Sequence, residues 1–261
     1  MIQYIASDLD GTLLPDGGQD MNPEIFDLIL QLKERGIRFI AASGRQYHSI
    51  RQLFLPVQED ISYITENGSL CLHQGQVIHR GTIERELGLR IIDTRKEFPD
   101  CHTLLSCESR AYTDSRNPDF IHHMRDVLHN DIAFVDDLHK IQEPFLKLAI
   151  CDPNGTDRME PFLKERFSSE IRVVTAGRIW VDFLAPDADK GKALEVLLKH
   201  LNIPPENGIA FGDQQNDIEM LRFAGTGYAM KTAAPGVAEY ADRITESVTE
   251  VIRTLLNTET P

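Results

Sequence analysis

The sequence predicts an α/β protein: a doubly wound, Rossmann-like parallel sheet interrupted by an inserted α+β domain. Three observations carry that expectation. Residues 1–42 read as strand, helix, strand, a βαβ unit, which makes the sheet parallel there. Near residue 81 this pattern gives way to short strand pairs and polar helices. It resumes at Ala188-Asp189-Lys190-Gly191-Lys192, followed by an amphipathic helix and a short buried strand. The core is therefore expected in residues 1–80 and 188–261, and the insert in 81–187.

The first strand is an apolar, β-prone run that stops at Asp8-Leu9-Asp10-Gly11-Thr12. Side chains of an extended chain alternate, so Asp8 and Asp10 are expected on one side. Like charges so placed call for a cation or a protonated partner. An EF-hand loop is excluded, because the glycine falls fourth from Asp8 and Gln19 occupies the twelfth position.

A loop, Leu13 to Met21, contains Pro15, Gly17 and Gly18. Asn22-Pro23 then supplies an N-cap and a first-turn proline for a helix with Ile25, Leu28, Ile29 and Leu32 inward. Gly36 ends it. Residues 37–42 form a second strand running into Ser43-Gly44-Arg45 and a helix to Phe54. A third strand, 62–66, ends in Glu66-Asn67-Gly68, and a hairpin turns at Gln74-Gly75.

In the insert, helices are expected at 83–98, from Asn117-Pro118 to about 129, and at 157–167. Strands are expected at 101–106, 109–114, 132–135, 145–151, 171–175 and 179–184. Beyond residue 188, one helix buries Ala193, Leu194, Leu197, Leu198 and Leu201. The strand Ile209-Ala210-Phe211 leads to Gly212-Asp213-Gln214-Gln215-Asn216-Asp217. A helix to Phe223, a strand at 226–230 and a helix capped by Ser247 close the chain.

Composition narrows the function. Acidic residues number 41 against 27 basic, a net charge of -14. Nucleic-acid binding is disfavoured, because a phosphate backbone wants a basic face. A phosphorylated ligand would have to be met by local positive charge or a metal. Cys71, Cys101, Cys107 and Cys151 have no zinc spacing and read as reduced thiols of a cytoplasmic protein. No secretory signal or membrane span is visible.

In an open parallel sheet, ligands bind beyond the carboxyl ends of the strands. Asp8 with Asp10, Ser43-Gly44, and Asp213 with Asn216 and Asp217 all follow strands, and Lys190 starts a helix. Carboxylates suit magnesium. A hydroxyl, backbone N–H groups and a lysine suit phosphate. The combination is a phosphoryl-transfer site. Taken singly, Asp213 and Ser43 are equally helix caps and Lys190 a solvated charge; their order after apolar strands favours the site.

These four motifs, in order, resemble those of the haloacid dehalogenase (HAD) superfamily over essentially the whole chain. The long insert resembles the C2B cap of the Cof-type branch, subclass IIB. The resemblance implies that Asp8 is the nucleophile and Asp10 the general acid and base. It implies Mg2+ on Asp8, the Asp10 carbonyl and Asp213, and a phosphate clamp of Ser43, Gly44, Lys190 and Asn216. Asp217 would orient Lys190 or a metal-bound water. Arg45 and Asn67 are candidates for the substrate side; the alternatives are the surface for Arg45 and an ordinary turn for Asn67.

The expected function is a magnesium-dependent phosphatase of small phosphomonoesters: sugar phosphates, or nucleotide or flavin monophosphates. The alternatives are a phosphomutase of the phosphomannomutase type and a sugar-phosphate-binding regulatory protein. The expected partner is a small phosphorylated metabolite, with no nucleic acid or membrane, for a monomer or weak homodimer.

Overall fold

The N-terminal apolar run forms β1 (Tyr4–Ser7), buried at all four positions. In this computed structural model the described residues are 1–14, 18–176 and 178–258. The chain divides into two units, Met1–His79 with Asp189–Pro261, and Arg80–Ala188. Of the expected loop 13–21, Pro15, Asp16 and Gly17 lie outside the described residues.

In the first unit, α1 (Glu24–Glu34) buries Ile25, Leu28, Ile29 and Leu32. The Asn22 side chain accepts the Glu24 N–H at 3.1 Å, the expected cap. Next come β2 (Arg38–Ala42), α2 (Tyr47–Leu53) and β3 (Ser62–Thr65), then β4 (Leu70–His73) and β5 (Gln76–Arg80). Gln74 and Gly75, both at positive φ, make the turn between the last two.

The second unit opens with α3 (Arg85–Asp93), β6 (His102–Ser106), β7 (Ala111–Thr113) and α4 (Pro118–His122). It continues through β8 (Ile132–Phe134), β9 (Lys147–Cys151), α5 (Met159–Phe167), β10 (Arg172–Ala176) and β11 (Trp180–Leu184). The chain then re-enters the first unit with α6 (Lys190–Leu201), β12 (Gly208–Gly212), α7 (Ile218–Phe223), β13 (Thr226–Met230), β14 (Arg243–Thr245) and α8 (Val248–Thr258).

The first unit is built on one sheet, ordered β14-β13-β12-β1-β2-β3-β4-β5. It is parallel from β14 to β3, and β4 joins antiparallel. Tyr4, Ala6, Ile40 and Ala42 pack with Ala193, Leu194, Leu197 and Leu198 of α6 and with Met220 and Leu221 of α7. Alternation sends Ile5 and Phe39 to the other face. There α1 and α8 lie together, tied by Arg35 donating to the Leu256 carbonyl at 2.6 Å. A central strand covered on both faces is apolar throughout, as β1 is.

The second unit has a sheet ordered β10-β11-β9-β6-β7-β8, antiparallel except for β7 with β8. Leu148 and Ile150 share a core with Leu87 and Ile91 of α3 and with Leu163 and Phe167 of α5. Ala149 and Cys151 face the other way and pack with Phe120 and Met124.

Three expectations change. The helix expected at 83–98 starts later, because Ile83 bridges to Phe145 (N–H to carbonyl 2.8 Å) and Glu84 caps the helix. It tightens after Asp93, where the Thr94 hydroxyl donates to the Ile91 carbonyl at 2.6 Å. The helix expected from Asn117 to about 129 is α4 followed by a wide π turn, His123–Val127. Strand β14 was not anticipated: it is three residues at a sheet edge, largely exposed, with no apolar alternation. The four cysteines are free and buried, and burial pushes the Cys71, Cys101 and Cys151 thiols up to about 12. No helix among the described residues is long and apolar enough to cross a membrane.

Candidate active site

Strand register assembles the site. Ser7 lies level with Ala41 of β2 and Phe211 of β12. Asp8 follows its level residue by one position, and Ser43 and Asp213 follow theirs by two. Three chain segments distant in sequence thus meet at the carboxyl end of β1.

Lys190 is the first residue of α6, which Asp189 caps by accepting the Lys192 N–H at 2.9 Å. Far from being a solvated charge, Lys190 is 1% exposed. Its ammonium donates to Asp8 Oδ1 and Asp217 Oδ1, each at 2.6 Å. The other Asp217 oxygen accepts the backbone N–H groups of Asp213 (3.0 Å) and Gln214 (2.9 Å). Asp213 is not a helix cap. Its carboxylate accepts from the Thr12 hydroxyl at 3.1 Å and the Gln214 amide at 2.7 Å. Gly11 turns the chain at φ +88°, and a Cβ there would come within 2.3 Å of Asp213 Oδ2. Only glycine lets this turn and this carboxylate approach so closely.

Asp8, Asp213 and Asp217 present oxygens within 4.8 Å of one another. Three ionised carboxylates against one ammonium leave a formal surplus of two negative charges. Burial raises the Asp8 carboxyl well above the usual carboxylate range, aided by Asp217 and Asp213 and opposed by Lys190. Burial and Asp217 raise Asp213 as well. Burial disfavours the Lys190 ammonium, but Asp217 and Asp8 outweigh it and hold it above the ordinary lysine range. Asp8 Oδ2 is buried and accepts no hydrogen bond from the described residues. A surplus of two charges, an orphaned carboxylate oxygen and an all-oxygen donor set fit a hard dication.

Asp10 is held separately. The strand ends at Ser7, so alternation no longer orders the two aspartates. The Asp10 side chain, 40% exposed, pairs with Arg45: Nε to Oδ2 at 2.9 Å and Nη2 to Oδ1 at 2.5 Å. Arg45, a candidate for the substrate side or the surface, grips this carboxylate in the two-pronged geometry that guanidinium favours. The buried Ser43 hydroxyl accepts the Arg45 backbone N–H at 3.2 Å, while α2 begins beyond Gln46. Asn67, also a candidate for the substrate side, accepts the Asn216 Nδ2–H at 2.9 Å. Thr12 and Gln214 were not singled out as site residues, although both lie inside the motif stretches. Their side-chain partners are set by a contact that sequence spacing does not reveal.

An aspartate after the central strand of a parallel sheet, joined to a buried lysine and an acidic cluster, defines a HAD-type hydrolase. The chain belongs to the haloacid dehalogenase-like hydrolases, whose family model matches residues 5–253. It is of the Cof type and is an enzyme of the phosphatase kind. It is 28% identical over 269 residues to the 5-amino-6-(5-phospho-D-ribitylamino)uracil phosphatase of Escherichia coli, covering 100% of this chain and 98% of that one. It is 28% identical over 242 residues to the HMP-PP phosphatase of Citrobacter koseri, covering 90% and 86%. Its fold is that of subclass IIB: the sugar phosphatase BT4131 superposes with a TM-score of 0.80 at 21% identity, covering 97% of this chain and 98% of that one.

Proposed function

We propose that this protein is a magnesium-dependent phosphatase of small phosphomonoesters that works through an aspartyl-phosphate on Asp8. The observation that carries the reading is the Asp8 carboxylate: one oxygen held by Lys190, the other buried without a donor, in a pocket with two surplus negative charges. Asp8, Asp213 and the backbone carbonyl of Asp10 would hold Mg2+, which would neutralise the carboxylates and the phosphoryl oxygens.

An Asp8 oxygen attacks phosphorus and the bond to the leaving alcohol breaks. Asp10 gives the departing oxygen its proton and then takes one from the water that hydrolyses the acyl phosphate. Phosphate leaves and both aspartates are restored. Arg45 donates to both Asp10 oxygens in the structure and has to release one of them for Asp10 to carry the proton it delivers. Ser43, the Gly44 N–H, Lys190 and Asn216 meet the phosphoryl oxygens, where charge is spread in the transition state. Asp217, committed on both oxygens, orients Lys190 and the Asp213 backbone.

The curated relatives act on small phosphorylated metabolites, which supports sugar phosphates or nucleotide or flavin monophosphates as the substrate class. The unit Arg80–Ala188 is the C2B-type cap of this reading and supplies discrimination between alcohols. The test is turnover of a phosphomonoester panel. Activity should vanish with chelator, return with magnesium and be inhibited by calcium, whose longer bonds and higher coordination misplace the carboxylates. A chelator-resistant phosphatase would show that the acidic cluster is not a catalytic metal site.

A further inference from the structure

We propose that Asn67 is a positioning residue: it orients Asn216 for phosphate, and its loop locks together the segments that carry the phosphate-binding groups. The inference rests on the phosphatase reading above and adds a residue that acts through another.

The loop after β3 has a costly backbone. Glu66, Asn67 and Gly68 adopt φ values of 50°, 58° and 97° in succession. Asparagine and glycine tolerate the left-handed region, whereas glutamate does so at a cost that surrounding contacts must hold. Those contacts reach each phosphate-binding segment. The Asn67 N–H donates to the Ser43 carbonyl and the Glu66 N–H to the Arg45 carbonyl, both at 3.1 Å. Gly68 lies so near Asp189, the residue before Lys190, that a Cβ would come 2.4 Å from the Asp189 carbonyl oxygen. The Asn67 side chain fills the space over Gly44, where a Cβ would lie 2.9 Å from Asn67 Oδ1.

That same Oδ1 accepts Asn216 Nδ2–H at 2.9 Å. An amide nitrogen carries two N–H groups. Giving one to Asn67 fixes the amide plane and decides which end is nitrogen, leaving the second N–H for an anion. Without the Asn67 acceptor, the Asn216 amide is free to rotate and present its carbonyl oxygen, which repels phosphate. Asn67 is itself 9% exposed, as suits a group that supports another side chain.

The test is a double-mutant cycle of Asn67→Gly and Asn216→Ala, read on kcat/KM and, by calorimetry, on inorganic phosphate binding with magnesium. Glycine accepts the left-handed backbone, so Asn67→Gly should keep its melting temperature within a few degrees of wild type. It should lower kcat/KM and phosphate affinity roughly tenfold, the scale of a hydrogen bond to a charged group. In the Asn216→Ala background, the same change should have little further effect. Additive losses, or no loss, would overturn the proposal. If Asn67→Gly does not fold, a crystal structure of the wild type with phosphate and magnesium decides: Asn216 Nδ2 should lie within hydrogen-bond distance of both Asn67 Oδ1 and a phosphate oxygen, and an Asn216 amide away from either would overturn the proposal. A wild type that binds phosphate but turns nothing over would refute the phosphatase reading while leaving the binding cycle decisive. A wild type that binds no phosphate would overturn the present proposal.

Discussion

Each of the two units contains a buried lysine facing aspartate, and the two differ in how closely the charges gather. In the second unit, Lys147 Nζ lies 3.8 Å from Asp182 Oδ2, with side chains 11% and 10% exposed. Asp182 sits opposite Ala149, so it shares a sheet face with Lys147 two residues away. At 3.8 Å the contact is an ion pair without a direct hydrogen bond. In the first unit Lys190 is divided between Asp8 and Asp217, with Asp213 close by. Three carboxylates around one ammonium carry a standing electrostatic cost, which binding of a dication relieves.

Asp8→Asn should break this comparison most sharply. Turnover should fall by roughly four orders of magnitude or more, on the scale seen when a covalent nucleophile is removed. The metal-free variant should nevertheless melt higher than metal-free wild type. The folded-state pKa of Asp8 is raised, so its contribution is fully present below the unfolded carboxylate value and is lost as pH rises through the raised one. Asparagine stays neutral throughout that window. Melting temperature against pH in chelator checks this, and a variant less stable than wild type above the window would contradict the surplus-charge account.

Lys190→Met comes next. It should abolish turnover and cost about 3–5 kcal/mol in stability, because two buried carboxylates lose their common cation. Denaturant unfolding without magnesium measures the cost. A variant of wild-type stability would mean that Asp8 and Asp217 are not both ionised around it.

Asp10→Ala should have a smaller effect that depends on the leaving group. Sugar phosphates, which leave as poor alkoxides, should lose far more kcat/KM than nitrophenyl phosphate, which needs little protonation. Equal losses would remove Asp10 from the role of general acid. The smallest catalytic effect should come from Lys147→Met. It removes the contact with Asp182 and lowers stability, yet should leave turnover of a minimal substrate such as acetyl phosphate within about tenfold of wild type, since uncoupled sites act additively. A loss matching Lys190→Met would place Lys147 in the chemical machinery.

Much of the core was legible because periodicity writes burial directly into sequence. Ile25, Leu28, Ile29 and Leu32 were expected to face inward and do. Asn22, Asn117 and Ser247 carry the helix-start signal, and each accepts a nearby backbone N–H. The second unit was less legible. Its shorter elements are governed by competition between local hydrogen bonds, as at Thr94, and by edge pairing, as at β14.

From the sequence alone, the residue types and their order along the chain could be determined: carboxylates, hydroxyl, lysine and amide after apolar strands. Side-chain chemistry is local, and strand ends are marked by the loss of apolar residues. Tertiary structure decided which groups are partners. Parallel register sets Asp8, Ser43 and Asp213 at one sheet end, and helix α6 delivers Lys190 to Asp8 across 182 positions of chain. The same packing gave Arg45 to Asp10 and Asn67 to Asn216. Hydrogen bonds act over about 3 Å in space and have no period in sequence, so only the folded chain could choose among them.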